Sequence, residues 1–196
     1  MLPFFIKISC DIVKYFYTLL WCFNLLFIMM NTLDTIKLRR SVRNYKNEII
    51  DLNLIYEIVE YWLYAPSAHN QQSWKYYIIS KKEDWEFLSD LMEYWKMLKV
   101  AWWCLLACFD KEFVRSIEFV QQDMWASIQN ILLAATEKWV WTVWLWLYPH
   151  EEVMSKISNH FNLPRNIVPF AIISIWYQNG DIPEKRLKAE WKIEIL

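Results

Sequence analysis

The sequence predicts an α+β domain, and two observations carry that expectation. Apolar stripes at helical spacing (Leu54, Ile55, Ile58 and Val59; Met124, Ile128, Ile131, Leu132 and Ala135) are interleaved with apolar runs of strand length over 104–109, 140–148 and 169–177. The two kinds of segment do not follow the strict βαβ rhythm of a doubly wound sheet. The 196 residues are enough for one domain with a substantial core.

Residues 1–30 are strongly apolar, with Lys7, Asp11, Lys14 and Asn24 interrupting them. Three readings stand for this extension: a membrane anchor shorter than the usual ~20-residue span, a buried helix, or sequence upstream of a true start at Met29 or Met30. The domain is expected over 31–196. Asn31 or Thr32 caps a short helix through Leu38, with Asp34 in its first turn. Asp51 caps a second helix that ends near Tyr64, since Pro66 disfavours helix at Ala65. A strand is expected over 75–80, a charged amphipathic helix over 82–98 and a buried strand over 104–109. A long helix over 123–138 leads to a strand over 140–148, which Pro149 ends. A helix over 150–161, a strand over 169–177, a turn at Asn179-Gly180-Asp181 and a terminal strand over 189–196 complete the series.

Composition excludes some functions. A formal net charge of -1 argues against nucleic acid as a partner. The four cysteines, Cys10, Cys22, Cys104 and Cys108, form no zinc-spaced cluster. Cys104 and Cys108 are expected as reduced core thiols of a cytoplasmic protein. No catalytic triad and no paired carboxylates are evident.

Two stretches carry chemistry. Arg39-Arg40-Ser41-Val42-Arg43 places three guanidiniums and a hydroxyl within five residues. Guanidinium forks match phosphate oxygens two at a time, so the stretch can hold a phosphate without a Gly-rich loop; a solvated basic turn is the alternative. Ala65-Pro66-Ser67-Ala68-His69-Asn70-Gln71-Gln72-Ser73-Trp74 is a turn rich in amide side chains ahead of a strand. Amides offer a donor and an acceptor together, as the pyrimidine edge of a flavin requires; an ordinary helix-to-strand loop is the alternative.

These stretches, with Gln129-Asn130-Ile131-Leu132-Leu133-Ala134-Ala135 and Thr142-Val143-Trp144-Leu145, occur in an order that resembles the nitroreductase family of flavoenzymes from about Asn31 onward. The resemblance implies a mostly antiparallel central sheet flanked by helices, in a domain-exchanged homodimer with FMN at the subunit interface. It implies ping-pong transfer from NADH or NADPH to nitroaromatics, quinones or similar small acceptors. Carried over by position, Arg39, Arg40, Ser41 and Arg43 hold the FMN phosphate and ribityl chain, joined by Lys185 and Arg186. Pro66, Ser67 and Asn70 approach from the partner subunit, and Gln72 sits near the ring edge. Trp144, Leu145 and Trp146 lie against the isoalloxazine, with the backbone N–H of residue 146 at the flavin N5. A non-catalytic flavin-binding protein, or a membrane-tethered one anchored by residues 1–30, is the alternative.

The departures from the family share one direction. The chain has 1 Gly and 14 Trp, where average usage predicts roughly a dozen glycines. Family members tend to have Gly where this chain has Trp62, Trp125, Trp139, Trp141, Trp146 and Trp176, with Trp95, Trp102 and Trp103 as further instances; Trp74 and Trp144 fit as Trp. Trp139 falls just past a helix, where Gly supplies the left-handed cap. The expectation is a gene in which UGA encodes glycine and has been read as tryptophan.

Overall fold

The computed structural model describes residues 31–182, 185 and 194. The extension 1–30 and, but for Glu194, the expected terminal strand lie outside the described residues. The chain divides into two compact units, Met1–Lys37 and Leu38–Leu196. Helix α1 (Thr32–Leu38) is capped by Asn31, whose side-chain oxygen accepts the Asp34 N–H at 3.0 Å.

The second unit is built on a four-stranded sheet in the order β1-β2-β4-β3, with every neighbouring pair antiparallel. The strands are β1 (Trp74–Ile79), β2 (Trp103–Asp110), β3 (Trp141–Trp146) and β4 (Ile167–Trp176). β2 and β4 are central, and β2 is buried from Cys104 to Phe109. Such an unbroken apolar run suits a strand covered on both faces. Cys104 and Cys108 are free and buried, and burial pushes both thiols well above their ordinary range.

Four helices pack on this unit. Helix α2 (Leu52–Glu60) is capped by Asp51, which accepts the Asn53 N–H at 2.7 Å, and buries Ile55, Ile58 and Val59. A 3-10 turn over Tyr61–Tyr64 carries it to the loop before Pro66. The helix expected over 82–98 is two pieces. Helix α3 (Lys82–Leu91) stops where Met92 takes an extended conformation, and a 3-10 segment follows over Glu93–Val100. On one straight helix Trp85 and Leu98 would point about 140° apart; the break lets Trp85, Trp95 and Leu98 all reach the core.

Helix α4 (Val120–Glu137) buries the expected stripe of Met124, Ile128, Ile131, Leu132 and Ala135, with Asp123 and Ser127 buried among them. Its end is a complete Schellman motif: Val140 N–H donates to the Ala135 carbonyl at 2.8 Å, and Trp139 N–H donates to that of Thr136 at 3.1 Å. The motif requires a left-handed residue at position 139, and Trp139 has φ 56°. Helix α5 (Glu151–His160) ends in the same motif with Asn162 in that place, at φ 51°.

Candidate functional site

The basic stretch is laid along the outer edge of β3. Ser41 forms a parallel bridge to Thr142, and Val42 N–H donates to the Thr142 carbonyl at 3.1 Å. Val42 is buried, while Ser41 and Arg43 on either side of it are exposed. Downstream, Lys46 N–H donates to the Tyr177 carbonyl at 2.9 Å, so the stretch is tied to the sheet on both sides. Arg40 Nη1 donates to its own turn, at 2.9 Å to the Arg39 carbonyl and 3.3 Å to that of Leu38. Among the described residues neither Arg39 nor Arg43 is paired with a carboxylate. Burial, then the neighbouring Arg40 charge, lowers the Arg39 pKa from its ordinary value. An anion at this edge would relieve both penalties.

Farther along β3 the same strand face carries two indoles. Alternation buries Leu145 and turns Trp144 and Trp146 to the other side. Their rings stack at 4.6 Å and 18°, and Trp125 from α4 stands edge-on to them at 6.3 Å and 5.6 Å. Trp146 is 53% exposed and Trp125 46%. The buried Trp144 Nε1 has no hydrogen-bond partner among the described residues. From Thr142 to Trp146 is about 13 Å of strand. Arginines and a flat aromatic platform thus share one edge.

The second stretch is elsewhere. It leads into β1, the opposite edge of the sheet, about 14 Å across three strand spacings. Pro66, Asn70 and Gln72 are exposed and Ser67 is half-buried. His69, Asn70 and Gln72 all have positive φ, at 54°, 51° and 45°. The loop is held by two residues that the sequence reading did not single out. Buried Asp123 of α4 accepts the Ala68 N–H at 2.9 Å and Gln71 Nε2 at 2.5 Å. Buried Gln71 accepts the Arg115 and Ser116 N–H groups at 2.9 Å and 3.1 Å. Gln72 turns outward and donates to Asn70 Oδ1 at 2.8 Å.

One chain therefore brings Arg39, Arg40, Ser41 and Arg43 together with Trp144 and Trp146 along β3. It holds Pro66, Ser67, Asn70 and Gln72 apart from them, across α4. Lys185 is exposed and Arg186 lies outside the described residues. A cavity of about 810 Å3 opens elsewhere, among Tyr45, Lys46, Lys82, Trp85, Lys99 and Trp102, and no candidate site residue lines it. The described residues contain no cluster of His, Cys, Asp or Glu fit for a metal ion. No helix among them is long and apolar enough to cross a membrane.

The comparisons with known proteins identify the class of this chain as an oxidoreductase. A sequence model of the nitroreductase family matches residues 36–107. An Archaeoglobus fulgidus protein named as NADH dehydrogenase/NAD(P)H nitroreductase is 33% identical over 154 residues, covering 78% of this chain and 88% of its own. The crystal structure of a Clostridium acetobutylicum protein named as NADH oxidase superposes with a TM-score of 0.77 at 34% identity, over 82% of this chain and 98% of that one. A Desulfovibrio desulfuricans nitroreductase solved in complex with FMN shares the fold, with a TM-score of 0.73 at 24% identity over 85% of this chain and 98% of that one. The chain belongs to the nitroreductase family.

Proposed function

We propose that this protein is an FMN-dependent oxidoreductase that passes electrons from NADH or NADPH to nitroaromatics, quinones or similar small acceptors in a ping-pong cycle, in the cytoplasm. The observation that carries the reading is the shared edge of β3. There, Arg39 and Arg43, with no carboxylate partner among the described residues, lie beside a strand whose Trp144 Nε1 is a buried donor with no acceptor among them. This donor set fits FMN. Arg39, Arg40, Ser41 and Arg43 would hold the phosphate and ribityl chain, with Lys185 and Arg186, and Trp144 with the backbone of residues 145 and 146 would back the ring, the Leu145 side chain being buried on the opposite face of the strand. The flavin supplies the electron-transfer chemistry; the chain's own residues bind, orient and shield it.

The separation of the amide-rich loop from this edge favours a homodimer in which Pro66, Ser67, Asn70 and Gln72 complete the partner's site. Exposed Leu63, Tyr64, Trp125 and Trp146 are apolar surface for such a second copy to cover.

The stacking of Trp146 on Trp144 favours a second statement. With an indole at position 146 the platform is covered, and the chain binds flavin weakly. The test is an FMN titration by flavin fluorescence, followed by anaerobic addition of NADH, on this chain and on Trp146→Gly. Trp146→Gly is expected to bind FMN at least tenfold more tightly and to lose its yellow colour with NADH. Adding Arg39→Ala and Arg43→Ala should cost about 10–100-fold in FMN affinity for each charged hydrogen bond lost, without lowering Tm. Absence of flavin binding by both chains refutes the flavin reading; binding without bleaching by either nicotinamide favours the non-catalytic one.

A further inference from the structure

Two tryptophans stand in places that suit glycine better: Trp139, whose indole is half exposed, for its backbone, and buried Trp176 for its neighbours. Trp139 occupies the left-handed position of the Schellman motif that ends α4, with φ 56° and both motif hydrogen bonds formed. A Cβ crowds the following carbonyl in that conformation, which is why glycine dominates there and asparagine comes second. The equivalent position after α5 is Asn162, and the one glycine in the chain, Gly180, also has a positive φ, 86°.

Trp176 fails for a different reason. It ends β4, is 1% exposed, and its Nε1 has no partner among the described residues. Its ring centroid lies 2.8 Å from that of Tyr45, inside the 4.5–7 Å at which aromatic pairs meet. The Tyr45 backbone is held in place by a bridge to Gln178. Without a side chain at 176 the phenol has the space to itself. Trp74 is the contrast: it is buried, and its Nε1 donates to the Asp123 carbonyl at 3.1 Å.

We infer that residues 139 and 176 are glycine in the protein its own cell makes, encoded by UGA read there as glycine, and that Trp74 is a tryptophan encoded by UGG. The inference stands on backbone geometry and packing and is independent of the flavin reading. Two measurements test it. The codons at 139 and 176 should be UGA and the codon at 74 UGG. Mass spectrometry of the protein purified from its source cell should give peptides with glycine at 139 and 176 and tryptophan at 74. UGG at 139 or 176, or a source-cell peptide with tryptophan at either, overturns the inference. Neither measurement depends on whether a recombinant variant folds.

Discussion

Trp139 pays for its left-handed backbone whatever its ring touches. The penalty for a side chain in that conformation is roughly 1–2 kcal/mol. Trp139→Gly should therefore raise Tm by about 2–8 °C for a chain of this size, measured by thermal denaturation. Trp139→Ala keeps a Cβ and should recover little of that gain. Asp123 is the opposite case, a polar residue that the fold has built in. Asp123→Ala strands the Ala68 N–H and the Gln71 amide, each worth about 1–2 kcal/mol. We expect Tm to fall by about 5–15 °C and limited proteolysis to begin within 66–72. At this scale the sequence was legible in part. The need for a left-handed cap at 139 could be read from the end of the helical stripe. Which glutamine of Gln71-Gln72 faces inward could not, because three residues with positive φ in this loop break any alternation that would tell the two apart.

Helices and strands follow the same division. β2 was legible because an unbroken apolar run has few other places to go. The stop at Met92 was not: the apolar positions continue past it, and only packing against the core decides that the chain must turn. Contacts between elements were equally hidden. His160 at the end of α5 meets Asp84 of α3 at 2.7 Å and stacks on Phe87 at 3.8 Å. His160→Ala should lower stability by about 1–2 kcal/mol, and Asp84→Ala added to it should cost less than on its own, a coupling that a double-mutant cycle reads. Within the sheet, burial raises the Cys104 and Cys108 thiols above 9.0, and raises the phenols of Tyr76 and Tyr45 above 10.0. The unfolded chain ionises these groups first, so their contribution to stability is complete below about pH 9 and is lost as pH rises above it. Urea unfolding should show stability falling from about pH 9 upward, less steeply in a Cys104→Ala, Cys108→Ala double variant.

For the molecule as a whole, the α+β class was legible because helical and strand periodicities interleave along the chain, whereas the flanked antiparallel sheet was expected only from the family resemblance. The strand order β1-β2-β4-β3 was not, since no local pattern says which strands are central. That order also puts the two chemistry-bearing stretches at opposite edges. The proposed second copy makes a prediction at this scale: Leu63→Glu with Tyr64→Glu should shift the protein toward monomer in analytical ultracentrifugation and weaken FMN binding with it.

The order has a consequence for synthesis on the ribosome. The inner pair of the sheet joins Trp103 to Ile175 and Asp110 to Ile167, so the strand that fills the middle is the last made of the four described strands. Until β4 emerges, β2 has one partner and β3 has only the short bridge to Ser41 on its outer side. Each waits with open hydrogen-bonding edges and apolar faces, the condition in which nascent chains aggregate. Such long-range closure also slows folding. Yield of this protein in a foreign host should accordingly depend on chaperones that hold the first 166 residues apart until the sheet can close.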